Sequence, residues 1–131
     1  MGAQTLLIVD DNSFFRRVAT RFLTQAADMA VVGTASSVEE ALLKAAELQP
    51  QVALVDLNMP HSSGLALIPQ LREMLPALKI VVLTMWESDM YREAALAAGA
   101  DDFVPKGQIA THLLPALRRL QGCHRPLPMG G

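Results

Sequence analysis

With one cysteine in 131 residues, Cys123, the chain can form no internal disulfide and no cysteine-built zinc cluster. No uncharged apolar run approaches the roughly 18 residues needed to span a bilayer. The opening MGAQTLL has neither the basic start nor the apolar core of a signal segment, so a soluble cytoplasmic protein is expected. Charge of one sign is also lacking. Eleven basic residues against thirteen acidic ones leave a formal charge of -2, which gives nucleic acid no broad electrostatic attraction. Repeats and low-complexity domains are absent. His61, His112 and His124 fall on separate segments without metal-ligand spacing, and surface or tail roles suffice for them.

What is present begins with LLIVDDNSFFRR, residues 6 to 17. Leu6, Leu7, Ile8 and Val9 do not alternate with polar residues, so they read as a strand covered on both faces. The run stops at two adjacent carboxylates, Asp10 and Asp11. Near a dry interior such a pair is costly to ionise unless something positive lies between them, and a divalent cation would serve. The competing reading is a solvated loop pair, with Asp11 or Ser13 capping the next helix. On this stretch alone the two stand about even.

The chain then alternates. Phe15, Val18, Ala19, Phe22 and Leu23 form the stripe of an amphipathic helix. MAVVGTA supplies a second strand, and Ser37 with Glu40 at capping-box spacing opens a second helix striped by Val38, Ala41, Leu42 and Ala45. Three further units follow: VALVD (52–56) with GLALIPQLREML, KIVVLT (79–84) with SDMYREAALAAG, and DDFVPK (101–106) with THLLPALRRL. Five strand-helix units with short connections predict a single α/β domain with a doubly wound parallel sheet and five helices. Pro50 and Pro76 fall between helices and strands, and Gly99 falls at a left-handed helix end. Pro115 is expected in the first turn of the last helix, capped by Thr111 or His112. Pro69 lies inside the third helix, where a bend or a lost hydrogen bond is expected. The domain is assigned to residues 1–122, and 123–131, rich in Pro and Gly, to a tail or the start of a linker.

Ligands of doubly wound sheets bind beyond the carboxyl ends of the strands. Those ends carry Asp10 and Asp11, Asp56, Thr84 and Lys106. Three carboxylates, a hydroxyl and an ammonium on one edge suit a hard cation beside a phosphoryl group, because Mg²⁺ takes oxygen ligands and phosphate oxygens take donors.

On the motifs VDDN, VDLNMP, VLTM and FVPKG, the chain from about Thr5 to Gln121 resembles the receiver domain of bacterial two-component response regulators. GLALIPQLREMLPALKIVVLTM is most similar to receivers attached to helix-turn-helix outputs. The resemblance implies a flavodoxin-like fold of strand order 2-1-3-4-5. It implies Asp56 as phosphoacceptor, with Mg²⁺ held by Asp11, Asp56 and the backbone carbonyl of Asn58, and Asp10 acting largely through water. Lys106 would hold a phosphoryl oxygen and, beforehand, the Asp56 carboxylate. Thr84 and Phe103 would form the switch, changing a surface on helix four, strand five and helix five that includes the region of Tyr91 and Arg92. A sensor histidine kinase would be the phosphodonor, and an output domain or effector the receiver of the signal. Transcription is the expected output, and a phosphorylation-dependent homodimer is compatible. The chain would be a switch and not an enzyme, with no nucleic acid or membrane contact of its own. Met85, next to Thr84, would restrict access to the site or else fill core.

Three other readings of these residues compete. A haloacid-dehalogenase-type phosphatase needs a second Asp two residues after the nucleophile, where this chain has Asn58. A degenerate receiver serving as a scaffold would usually lose one of the five groups. A nucleotide-binding flavodoxin-like module would need a Gly- or Ser/Thr-rich loop after strand one, and DDNSFF is not one.

Overall fold

The structure is a computed structural model and describes residues 2–59, 62–85 and 89–121. Five strands, β1 (Gln4–Val9), β2 (Met29–Ala35), β3 (Val52–Asp56), β4 (Lys79–Thr84) and β5 (Asp102–Pro105), form one parallel sheet. Their spatial order is β2-β1-β3-β4-β5, the expected 2-1-3-4-5. A two-residue antiparallel ladder, Asn58–Met59 with Ser62–Ser63, lies between β3 and the third helix, and the sequence had no cue for it. The helices are α1 (Ser13–Thr24), α2 (Val38–Leu48), α3 (Gly64–Met74), α4 (Asp89–Ala98) and α5 (Ile109–Gln121). Among the described residues no helix is long and apolar enough to cross a membrane.

The unbroken apolar runs have a simple cause. Successive residues of a strand point to opposite faces, and here both faces are covered. Leu7, Val9, Ala53, Val55, Ile80 and Val82 pack with Ala41, Leu67, Ile68, Leu71 and Ala95 from α2, α3 and α4. Leu6, Ile8, Val52, Leu54, Val81 and Leu83 pack with Ala19, Leu23, Leu113, Ala116 and Leu117 from α1 and α5. Each fully buried Leu or Ile contributes roughly 1.5 to 3 kcal/mol relative to exposure. The helix α4 is the lightest anchored of the five, with Ala95 its one fully buried residue.

The far ends of α3 and α4 are tied by Arg72. Its guanidinium donates to the carbonyls of Leu78, Pro76 and Gly99 and to the Asp101 carboxylate, at 2.8 Å for the last. Asp101 in turn accepts from the Ile80 N–H at 2.8 Å. Gly99 takes φ +120°, as the end of α4 requires.

Several expectations need correction. The cap of α1 is Asn12, whose side chain accepts from the Phe15 N–H at 3.0 Å, and not Asp11 or Ser13. Ser37 caps α2 as expected, through the Glu40 N–H at 3.1 Å, but the Glu40 carboxylate reaches back to the N–H of Ser36 instead of Ser37. Val18 is 38% exposed and leaves the α1 stripe on its solvent side. A 3₁₀ turn, Lys106–Gln108, leads into an α5 that starts at Ile109, so Pro115 sits well inside that helix and not in its first turn. Pro69 is inside α3, as expected. Both prolines are exposed, and so are Leu65 and Thr111, the residues four before them. The carbonyls that lose a helical donor therefore lie on the solvent side, where water can replace it. The tail 123–131 with Cys123 and His124, and His61, lie outside the described residues.

Candidate functional site

Parallel strands all end on the same edge, and the register brings their last residues together. Val9 is level with Val55, Asp56 with Leu83, and Thr84 with Pro105. Asp10 extends β1 by one more sheet hydrogen bond, its N–H to the Ala35 carbonyl at 2.9 Å. Asp10 is 1% exposed, Asp56 4% and Thr84 0%, so three polar groups are carried to the rim of the core. Asp11, one residue further, is exposed.

Local chemistry fixes each side chain. Asp10 Oδ1 accepts from the Asn12 N–H at 2.9 Å, and Asp56 Oδ1 accepts from the Asn58 N–H at 3.2 Å; both are turns of the Asx type that follow a strand end. Arg16 donates to the Asp10 carbonyl at 2.6 Å and so holds the end of β1 against α1. The Asn58 amide donates to the Thr84 hydroxyl at 3.0 Å. The start of α3 lies so close to β3 that a Cβ on Gly64 would fall 2.1 Å from the Asp56 carbonyl oxygen. Only glycine fits there.

Lys106 reaches across from the end of β5. Its Nζ lies 2.6 Å from Asp10 Oδ2 and 3.7 Å from Asp56 Oδ2, with its side chain 9% exposed. The ammonium thus makes the expected pair with Asp56 and a shorter one with Asp10 that the sequence does not announce. The same nitrogen sits 4.1 Å from the centre of the Phe15 ring.

Asp10, Asp11 and Asp56 each offer an oxygen, all within 4.8 Å of one another. One ammonium cannot neutralise three carboxylates. Burial, and next the charge of Asp10, push the Asp56 carboxyl above its ordinary range, while Lys106 pulls the other way. The donor set fits Mg²⁺, a hard ion that takes oxygen ligands. Such an ion takes its ligands from carboxylates, backbone carbonyls and water, and the three carboxylates are close enough together to share one.

Phe103 is buried in the cluster under α2, α3 and α4, with Tyr91 partly buried against the same cluster and Arg92 exposed. Met85 is 69% exposed, which excludes the core-filling reading. His112 is exposed on α5 and shares a hydrogen bond with the Thr111 hydroxyl. Three residues that touch the site carry no direct sequence sign of that role: Phe15, Arg16 and Gly64. A glycine opening an apolar helical stripe was the visible signal for Gly64. Phe15 and Arg16 read as ordinary α1 residues.

Comparison with known proteins bears on this geometry. The profile of the response regulator receiver domain matches residues 6–118. The response regulator GacA of Pseudomonas protegens is 39% identical over 113 residues, covering 86% of this chain and 53% of GacA. The chain therefore spans about half the length of the curated relatives it matches. Among solved structures, the response regulator domain of Thermotoga maritima CheB superposes with a TM-score of 0.84 at 29% identity, covering 94% of this chain and 99% of that one. The isolated REC domain of RcsB from Salmonella enterica serovar Typhimurium, solved in the presence of the phosphomimetic BeF₃⁻, gives 0.85 at 27% identity, covering 98% and 95%.

Proposed function

The chain belongs to the response regulator receiver domain family, and from that membership we propose that it is a phosphorylation switch whose phosphoacceptor is Asp56. The observation that carries this reading is the placement of Asp56 at the end of the central strand, nearly buried, facing Asp10 and the Lys106 ammonium. An Asp56 oxygen would attack the phosphorus of a phosphohistidine on a sensor kinase. The P–N bond breaks, the imidazole leaves with the electron pair, and an acyl phosphate remains. Held by Asp11, Asp56 and the Asn58 carbonyl, with Asp10 one water removed, Mg²⁺ would offset the carboxylate charge and orient the phosphoryl group. Lys106 would shift from Asp10 toward a phosphoryl oxygen. Such a shift needs little motion, because the ammonium already lies between the two acids.

Thr84 would carry the signal outward. Its buried hydroxyl can donate to a phosphoryl oxygen and move inward, and Phe103 on the neighbouring strand can follow. The face of α4, β5 and α5 would then change, and the light anchoring of α4 favours that change. We read the partner on this face as an output domain or effector, with control of transcription as the output and a phosphorylation-dependent homodimer compatible with it. A cytoplasmic location follows from the kinase partner. The near-zero net charge gives the chain no nucleic-acid contact of its own. It is a switch and turns over no external substrate beyond slow gain and loss of its own phosphoryl group.

The test is intact-mass spectrometry after incubation with acetyl phosphate. One Mg²⁺-dependent phosphoryl group is expected on the wild type and none on Asp56→Asn. An Asp56→Asn protein that takes up the group at normal stoichiometry overturns the assignment, and a wild type that takes up none leaves the scaffold reading.

A further inference from the structure

Lys106 is held from three sides. Two contacts are the carboxylates of Asp10 and Asp56, at 2.6 and 3.7 Å. The third is neutral: the face of the Phe15 ring, its centre 4.1 Å from Nζ. That distance lies well inside the roughly 6 Å within which an aromatic face attracts a cation. The ring is itself fixed. The Asn12 cap takes the Phe15 N–H as its donor, which sets the first turn of α1 and with it the direction of residue 15. Its neighbour Phe14 shows the contrast, being 68% exposed. Phe15 is partly buried on the α1 and α5 side of the sheet.

The geometry points to Phe15 as a positioning residue for Lys106: its ring and the Asp10 carboxylate together hold the ammonium at a place from which it reaches a phosphoryl group on Asp56. The inference rests on the reading of Asp56 as phosphoacceptor. A lysine stem has four rotatable carbons and large rotamer freedom, which must be given up whenever the ammonium takes a fixed partner. Here most of that freedom is lost before the phosphodonor arrives. The ring also keeps water from one side of the ammonium, so its field on Asp56 is less screened. A leucine of similar bulk would exclude water as well, but it has no electron-rich face to hold the cation.

The experiment uses the full 131-residue chain as Phe15→Leu and Phe15→Tyr. In chelator-treated protein, NMR of the Lys106 ε-methylene protons reads the contact without phosphorylation. Wild type and Phe15→Tyr should show the upfield displacement that a ring face imposes, and Phe15→Leu should lose it. With acetyl phosphate and Mg²⁺, Phe15→Leu should be phosphorylated about threefold to tenfold more slowly, equivalent to about 0.7 to 1.4 kcal/mol of barrier. Phe15→Tyr should recover the wild-type rate to within roughly twofold, because it keeps the ring face. The inference is overturned if Phe15→Leu keeps the methylene displacement, or keeps the wild-type rate, or if Phe15→Tyr is as slow as Phe15→Leu. A wild type that takes up no phosphoryl group overturns the functional reading alone, and the methylene displacement still decides whether Phe15 positions Lys106.

Discussion

Replacing Asp56 by asparagine should make the metal-free chain more stable at neutral pH, although it removes the proposed reacting group. The Asp56 carboxylate is 4% exposed and its pKa is raised, first by burial, then by the charge of Asp10, against the pull of Lys106. With an effective dielectric of about 20, Asp10, within 4.8 Å, repels Asp56 by about 3.5 kcal/mol or more, and Lys106 at 3.7 Å attracts it by about 4.5 kcal/mol. The exposed Asp11 adds back about 1 kcal/mol in more watery surroundings. The two repulsions at least offset the Lys106 attraction, and the burial cost of the carboxylate remains. An asparagine keeps the hydrogen bond from the Asn58 N–H without that cost, so a gain of about 1 to 3 kcal/mol is expected. For a domain of this size that is a rise in Tm of about 4 to 12 °C.

The sign of the pH dependence follows. A carboxyl whose pKa is raised by folding costs nothing while protonated in both states, below its ordinary value of 3.8. Its cost grows as pH rises above that value and is complete once pH exceeds the folded pKa. Urea unfolding of both proteins, chelator-treated, from pH 3.5 to 8 should therefore show a gap that opens with rising pH and then levels. No gap at pH 7, a less stable asparagine variant, or a gap that widens toward acid would refute the reasoning.

Three other outcomes are expected. Gly64→Ala should cost about 1 to 3 kcal/mol or more in urea unfolding, because the new methyl would meet the Asp56 carbonyl at 2.1 Å and the Leu57 Cα at 2.9 Å, both backbone atoms that yield only by moving β3; unchanged stability would show that α3 is not pressed against the strand end. Asp11→Asn should weaken Mg²⁺ binding in a calorimetric titration more than Asp10→Asn, since the Asp10 carboxylate is already taken by Lys106 at 2.6 Å, and equal losses would count against that division of roles. Met85→Ala should change stability by no more than about 0.5 kcal/mol, as expected of an exposed side chain. If Met85 restricts access, the same change should speed both phosphorylation by acetyl phosphate and loss of the group by about threefold to tenfold, and unaltered rates would reject that role.

Much of the fold was legible because its signals are local. The unbroken runs at 6–9, 52–56 and 79–84 mark strands covered on both faces, and the stripes after them mark helices that must cover those faces. The edge strands were legible too, although their signal is weaker: MAVVGTA coincides with β2 and DDFVPK contains β5. In β2 only Met29 and Ala35 are buried, and the register slips beside Leu7. The start of α1 is hard to read because a cap depends on which of several adjacent polar side chains turns back to the helix, and Asp10, Asp11, Asn12 and Ser13 all qualify by type; α5 starts earlier than its stripe suggests because a 3₁₀ turn, Lys106–Gln108, leads into it. Asn12 takes the role because Asp10 is turned toward Lys106 and the Asn12 N–H.

By itself the sequence determined the alternating layers, the parallel sheet and the carboxylates at the strand ends, because hydrophobic period and charge placement are properties of neighbouring residues along one chain. Who faces whom at the site is a property of the packed sheet. Lys106 and Asp10 are 96 residues apart, and their contact exists only because β5 and β1 end on one edge with β3 and β4 between them. The same packing decided that Lys106 would favour Asp10 over Asp56, that the Phe15 ring and not Phe14 would cover the ammonium, that Gly64 alone could stand beside β3, and that Met85 would face solvent. Each of these turns on distances of an ångström or two between side chains from different elements, and local pattern carries no information about such distances until the sheet register is set.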